Sequence, residues 1–287
     1  MQIASNKIKD VVRFFREQLQ GVYDAEEIES FIGLCFEEYM GLKRVDIVIN
    51  GERTMSESDL LKFNFAIKDL KKEKPIQQIL GKADFFGLKF YVNEHVLIPR
   101  PETEELVDLI IKENKGSNPT IMDIGTGSGC IPISLRKSIP NAVVSTMDVS
   151  EKAIEVARKN AELNEVAINF VVDDILNPST EIPTKSIDII VSNPPYIRIS
   201  EKEEMRKNVL EHEPHIALFV YDADPLLFYK KIADLALSVL KPDGKIYFEI
   251  NENFGLESKQ MLENKGFKNV LLLKDLSNKN RILRGSI

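Results

Sequence analysis

Five short apolar runs, Ile121–Ile124, Val143–Met147, Ile168–Val172, Ile187–Val191 and Ile246–Ile250, punctuate the chain after residue 101, and the stretches 151–164 and 223–240 between them carry apolar residues at helical spacing. Strands buried on both faces read as continuous apolar runs, and parallel neighbours need a crossover long enough to hold a helix. The alternation therefore predicts an α/β fold, a mostly parallel, doubly wound sheet with helices on both faces. Val270–Leu273 and Ile282–Leu283 are two further runs joined by a short loop without a helix, which predicts an antiparallel closing pair.

The first 80 residues follow a different pattern. Val11, Val12, Phe14, Phe15 and Leu19 recur at helical spacing, and Asp24 stands three residues before Glu27, the start of a second helix through Ile28, Phe31, Ile32 and Cys35. Ser56 and Asp59 open another, which runs through Leu60, Leu61, Ile67 and Leu70 to Lys71, Lys72 and Lys74, where Pro75 interrupts it. Residues 1–80 are thus expected to form a small helical bundle with Cys35 in its core. Residues 81–100 hold two aromatic and β-branched runs broken at Gly87, a β-hairpin linker, and residues 101–287 form the α/β domain. A chain of 287 residues with 43% hydrophobic and 29% charged side chains can bury a core in each part.

Composition narrows the partners. Cys35 and Cys130 have no nearby cysteine or clustered histidine, so neither a disulfide framework nor a zinc site is expected, and a cytoplasmic location is. No apolar stretch approaches the ~18 residues of a membrane span. The net charge of −7 is shared along the chain, which argues against direct nucleic-acid binding. His95 is expected at the surface or in packing, and His212 and His215, around Pro214, are read as structural or substrate-loop residues and not as metal ligands.

Two loops carry the chemistry. The first apolar run ends in Asp123-Ile124-Gly125-Thr126-Gly127-Ser128-Gly129-Cys130, whose glycines let a loop turn sharply against a ligand ahead of a helix N-terminus. The spacing is not that of a dinucleotide fingerprint, whose third glycine would fall at Cys130. Asp148, ending the second run, is placed to accept both hydroxyls of a ribose, although it also precedes Val149-Ser150-Glu151 as a helix cap would. Asp174, past the third run, is placed to accept from the exocyclic amine of an adenine. The fourth run leads into Ser192-Asn193-Pro194-Pro195-Tyr196. Two prolines remove two backbone donors and stiffen the loop, which leaves the Asn193 side-chain oxygen and the Pro194 carbonyl to grip an NH₂ group while Tyr196 offers a flat face.

On these motifs the sequence resembles the class I S-adenosylmethionine-dependent methyltransferases, and within them the glutamine N(5)-methyltransferases of peptide chain release factors, the PrmC/HemK family. The likeness extends through ILGKADFFGLKFYVN, VLIPRPETEELVD, DIGTGSGCI, VSNPPYI, the EPHIAL segment at 213–218 and the closing DLSNKNR. It implies a seven-stranded Rossmann-like domain and S-adenosyl-L-methionine as cofactor, released as S-adenosyl-L-homocysteine. By the same resemblance Gly125, Thr126, Gly127, Ser128 and Gly129 line its methionine part, Asp148 holds the ribose, Asp174 lies near the adenine, and Asn193 adjoins the methyl donor. Asn193, Pro194, Pro195 and Tyr196 hold the substrate glutamine, with Asn193, Pro194 and Tyr196 in the catalytic step. Class I release factors are the implied protein substrate, and the helical residues 1–80 its recognition domain. One departure stands after the fifth run, where Glu249-Ile250-Asn251-Glu252-Asn253-Phe254 replaces the family's Gly-containing turn, and Glu249 is left out of the expected site. Residues 197–222 form a long polar connection, expected to act as a lid or partner surface. The competing readings are an N(6)-adenine methyltransferase acting on DNA or RNA, a glutamine methyltransferase of a ribosomal protein, and a nucleoside-binding protein without turnover.

Overall fold

The structure, a computed structural model, describes residues 5–287. It divides into two compact units, one made of the chain up to Gly81 with Lys207–His212, the other of Lys82–Arg206 with Glu213–Ile287.

In the first unit the helices α1 (Ile8–Leu19), α2 (Ala25–Met40), α3 (Arg44–Ile49), α4 (Glu57–Leu70) and α5 (Ile76–Leu80) surround a core containing Phe15, Phe36, Phe63 and Leu70. The Phe36 and Phe63 rings lie 4.5 Å apart. Asp24 accepts the Glu27 N–H at 2.8 Å and Ser56 that of Asp59 at 3.1 Å, satisfying N-terminal donors that otherwise have no partner. Gly41, at φ 67°, ends α2 in the left-handed conformation that glycine adopts without a Cβ penalty. Pro75 interrupts the chain only briefly, since α5 starts behind it. The short α3 left no periodic signal, because of its apolar residues only Ile47 is buried while Val45, Val48 and Ile49 face solvent.

The second unit begins with the expected hairpin, β1 (Lys82–Phe85) and β2 (Leu88–Tyr91), turned at Phe86 and Gly87 with φ of 48° and 72°. The alternating elements follow as α6 (Pro101–Glu113), β3 (Thr120–Ile124), α7 (Cys130–Ser138), β4 (Val143–Asp148), α8 (Glu151–Leu163), β5 (Asn169–Val172) and β6 (Ile187–Ser192). Then come β7 (Ile197–Arg198), α9 (Lys207–His212), which belongs to the first unit, and β8 (Phe219–Val220), α10 (Leu227–Val239), β9 (Leu240–Glu249), α11 (Gly255–Asn264), β10 (Lys268–Lys274) and β11 (Asn280–Ser286). The hairpin is docked within this unit. Asn160 of α8 donates to the Tyr91 carbonyl at 2.9 Å and accepts its N–H at 2.6 Å, while Asn164 donates to the Lys89 carbonyl at 2.9 Å.

The seven-stranded sheet has the order β10-β11-β9-β6-β3-β4-β5, parallel except for β11, which runs antiparallel to both neighbours. One face, including Met122, Ile124, Ile190 and Phe248, packs with Ile232, Ala233 and Ala236 of α10; the other, including Ile121, Ile189 and Tyr247, packs with Leu106 and Ile110 of α6 and Ile131 and Leu135 of α7. The chain moves outward from β3 through β4 to β5 and then returns to the other side of β3 as β6. Loops leaving the carboxyl ends of β3 and β6 consequently diverge and open a crevice, the usual ligand position in such sheets. Register fixes what borders it. Ile124 pairs with Met147 and with Ser192, and Ser192 pairs with Phe248, so the next residues, Gly125, Asp148, Asn193 and Glu249, form one row across the strand ends.

Candidate active site

A cavity of about 490 Å³ opens at this row. Of the residues singled out in the sequence, Gly125, Thr126, Gly127, Ser128, Asp148, Asp174, Asn193, Pro194 and Pro195 line it, and Gly129 and Tyr196 do not. Gly125 and Gly127 have φ of 82° and 51°, and a Cβ on Gly125 would come within 3.9 Å of the Asn193 carbonyl. The glycine loop and the Asn-Pro-Pro-Tyr loop are therefore neighbours. Gly129 does different work: a Cβ there would fall 2.9 Å from Ile133 Cδ1 and 3.1 Å from Ala157 Cβ, so its bareness lets α7 and α8 approach.

The carboxylates have distinct surroundings. Asp148 accepts the Gly127 N–H through Oδ2 and the Ser150 N–H through Oδ1, each at 2.9 Å, and thereby braces the glycine loop. The side-chain cap of α8 is Ser150, which accepts from the Ala153 N–H at 3.2 Å, so the capping role left open for Asp148 belongs to its neighbour. Burial raises the Asp148 carboxyl above its ordinary range, against the pull of these backbone donors. Asp174 accepts from the Leu176 N–H at 2.9 Å and borders the cavity, whereas the adjoining Asp173 is consumed by the N–H groups of Ser179 and Thr180, which hold its carboxyl low. Thr126 and Ser128 are buried residues of the cavity wall, the Thr126 hydroxyl beside the Asp123 carboxyl and the Ser128 hydroxyl beside the Cys130 thiol. A braced carboxylate and a second acid on one cavity fit a polar nucleoside-bearing ligand.

Behind Asn193 lies a network that the sequence did not disclose. Thr103 Oγ1 donates to Glu249 Oε2 at 2.6 Å, Tyr196 Oη donates to Glu249 Oε1 at 3.2 Å, and Asn193 Nδ2 donates to Thr103 Oγ1 at 3.3 Å. A threonine hydroxyl has one proton, and here it goes to the carboxylate, so the Thr103 oxygen can only accept from Asn193. The Asn193 amide must turn its NH₂ to Thr103, so its Oδ1 is left as an acceptor, and both residues line the cavity. Burial raises the Glu249 carboxyl, while the Thr103 hydrogen bond and the attraction of Arg281 oppose the rise. Tyr196, expected to offer its flat face to the substrate, is tied at its hydroxyl end. Its hydroxyl is spent on Glu249, and its carbonyl accepts from Asn251 Nδ2 at 3.1 Å, so the atypical Asn251 helps hold the loop.

A second pairing also spans distant sequence. Glu213, 4% exposed, accepts from Arg100 Nη2 at 2.5 Å and from the Ile98 N–H at 3.1 Å, fixing a stretch of the cavity wall. His95, part exposed, and His215 line the cavity as well. His212 instead faces the Lys72 carbonyl at 3.1 Å in the first unit. Among the described residues no cluster of His, Cys, Asp and Glu has the makings of a metal site.

A crevice at the strand-order switch, faced by a glycine loop, an acid at the end of the second strand and an Asn-Pro-Pro loop, defines a methyltransferase. Residues 103–215 match the family model described as the methyltransferase small domain, and residues 10–81 match the PrmC N-terminal domain. A solved methyltransferase from Pyrococcus furiosus shares the fold with a TM-score of 0.52 at 18% identity, covering 80% of this chain and 98% of that one. The chain belongs to the release factor glutamine methyltransferase family. It is 51% identical to such a protein from Flavobacterium psychrophilum over 96% of this chain and 98% of the relative. A relative of the same description from Bacteroides thetaiotaomicron is 44% identical over 95% and 98%. Among the described residues no helix is long and apolar enough to cross a membrane.

Proposed function

We propose that this chain transfers a methyl group from S-adenosylmethionine to the side-chain amide nitrogen of a glutamine in class I peptide chain release factors. The observation that supports this reading is the hydrogen bond from Asn193 Nδ2 to Thr103 Oγ1, which leaves Oδ1 as the acceptor end of an amide on a residue that lines the cavity. Asp148 would hold the ribose hydroxyls, Asp174 the adenine side, and Thr126 and Ser128 the polar end of the cofactor. When bound, S-adenosylmethionine supplies an electrophilic methyl on its sulfonium.

The chain must then act on the amide, whose nitrogen lone pair is delocalised into its carbonyl. Asn193 Oδ1 and the Pro194 carbonyl would accept the two N–H groups, orient the nitrogen, and stabilise the positive charge that grows on it as the N–CH₃ bond forms and the donor's S–CH₃ bond breaks, with one N–H proton passing to water. Orientation of this kind supplies up to ~7–11 kcal/mol of a barrier, and preorganised dipoles add to it. Pro195 removes a competing backbone donor and keeps the loop stiff, and Tyr196 contributes by anchoring the far end of the loop to Glu249.

Asn193→Ala tests the reading. Loss of one preorganised partner in a closed site costs about a hundred- to a thousandfold in rate, so single-turnover methylation of a release factor should fall by that amount while cofactor affinity stays near wild type. Methyl transfer near the wild-type rate contradicts the assignment.

A further inference from the structure

We propose that Thr103 and Glu249 are positioning residues for methyl transfer: the Glu249 carboxylate commits the Thr103 hydroxyl proton, and the Thr103 oxygen then holds the Asn193 amide with its NH₂ inward and its Oδ1 toward the substrate nitrogen. The inference rests on the reading of Asn193 as the acceptor of the substrate amide and deepens it. An asparagine side chain can turn over and exchange its oxygen for its NH₂ at little steric cost. In the exchanged orientation a donor would face the substrate's own N–H, and the grip would become a repulsion. Something must select one orientation, and only a partner whose donor and acceptor roles are themselves fixed can do so.

Glu249 supplies that fixed role. It is 1% exposed, and a buried carboxylate is retained at a cost unless its oxygens are satisfied by donors. Both of its oxygens are taken, Oε2 by Thr103 and Oε1 by Tyr196, and it is an acceptor toward each. The Tyr229 hydroxyl donates to its main-chain carbonyl at 3.2 Å and steadies the strand end from which it projects. Glu249 thus reaches both ends of the Asn193–Tyr196 loop, one directly through Tyr196 and the other through Thr103. Register explains why it can, since β9 ends one residue before Ile250 in the same row as β6. Neither residue needs to touch the reacting atoms.

Four variants of the full chain, Thr103→Val, Thr103→Ser, Glu249→Met and Asn193→Ala, decide the matter in single-turnover assays with a purified release factor and saturating S-adenosylmethionine. Thermal unfolding and calorimetric cofactor binding accompany them. Thr103→Val, which keeps shape and removes the hydroxyl, should slow methyl transfer at least about tenfold with cofactor affinity within about twofold, and Thr103→Ser should restore the rate to within about threefold. Glu249→Met replaces the buried charge by an apolar chain of similar length, a change that tends to preserve the fold, and should slow the step as Thr103→Val does. Combined with Asn193→Ala, Thr103→Val should add less than about a twofold further loss, because residues acting through one another are not additive. In ¹⁵N spectra recorded without any ligand, the Asn193 side-chain NH₂ resonances should move in Thr103→Val and stay in Thr103→Ser. Wild-type rates in folded Thr103→Val or Glu249→Met, full additivity with Asn193→Ala, or unmoved Asn193 resonances overturn the proposal. If Asn193→Ala itself methylates at the wild-type rate, the parent reading fails instead, which is a separate outcome.

Discussion

Two aspartates at neighbouring strand ends illustrate how differently one side chain can be used. Asp148 was legible in the sequence because its chemistry is local, an acid ending the strand after the glycine loop, and the structure adds that it braces that loop through Gly127. Asp148→Ala should weaken S-adenosylmethionine binding by about 1.5–3 kcal/mol, the worth of charge-assisted hydrogen bonds, in calorimetry; unchanged affinity would leave it only the loop-bracing role. Asp123 is buried in β3 with Oδ2 accepting from Thr146 Oγ1 at 2.6 Å, and burial pushes its carboxyl up to about 7 from an ordinary 3.8. Between those two values the unfolded chain has lost the proton that the folded one keeps, so this group makes stability fall as pH rises through that window. Asp123→Asn removes that contribution. The melting temperature of the variant relative to wild type should climb between about pH 4 and pH 7 and then level off, and parallel curves would contradict the shift. Thr103, Glu249 and Glu213 escaped the sequence for the opposite reason, since Thr103 meets Glu249 across 146 positions and Glu213 meets Ile98 across 115. No periodicity or motif reports a pairing that only the strand order creates.

At the scale of elements, legibility followed burial. The core strands showed as apolar runs because both faces are covered, and the capped helices α2 and α4 showed because Asp24 and Ser56 announce their starts. The six-residue α3 did not show, with one buried apolar residue, and α5 was hidden behind a proline that begins a helix as readily as it ends one. Gly129 was read as lining the cofactor because the loop glycines look alike in sequence; its left-handed conformation and close neighbours also give it a packing role between α7 and α8. Gly129→Ala combines a left-handed backbone with a Cβ 3.3 Å from Ala157 Cα, which belongs to helix backbone and yields little. It should lower stability by about 1–3 kcal/mol in denaturant unfolding, and an unchanged midpoint would return Gly129 to the ligand wall.

One unit is α/β and carries the cavity with Asn193 and Pro194 on its wall, and the other is helical. We propose that the helical unit recognises the protein substrate. A truncated chain beginning at Lys82 should bind S-adenosylmethionine like the full chain yet lose most of its catalytic efficiency toward an intact release factor; equal efficiency would place recognition elsewhere. The adenine alternative shares the Asn-Pro-Pro-Tyr grip, so the identity of the methylated group is the central claim. The direct measurement is mass spectrometry of a purified release factor after incubation with the full chain and S-adenosylmethionine, with peptide mapping of the product. The account predicts one methyl group on the side-chain nitrogen of a single glutamine; an unmodified release factor, or a methyl group on any other residue, would contradict it.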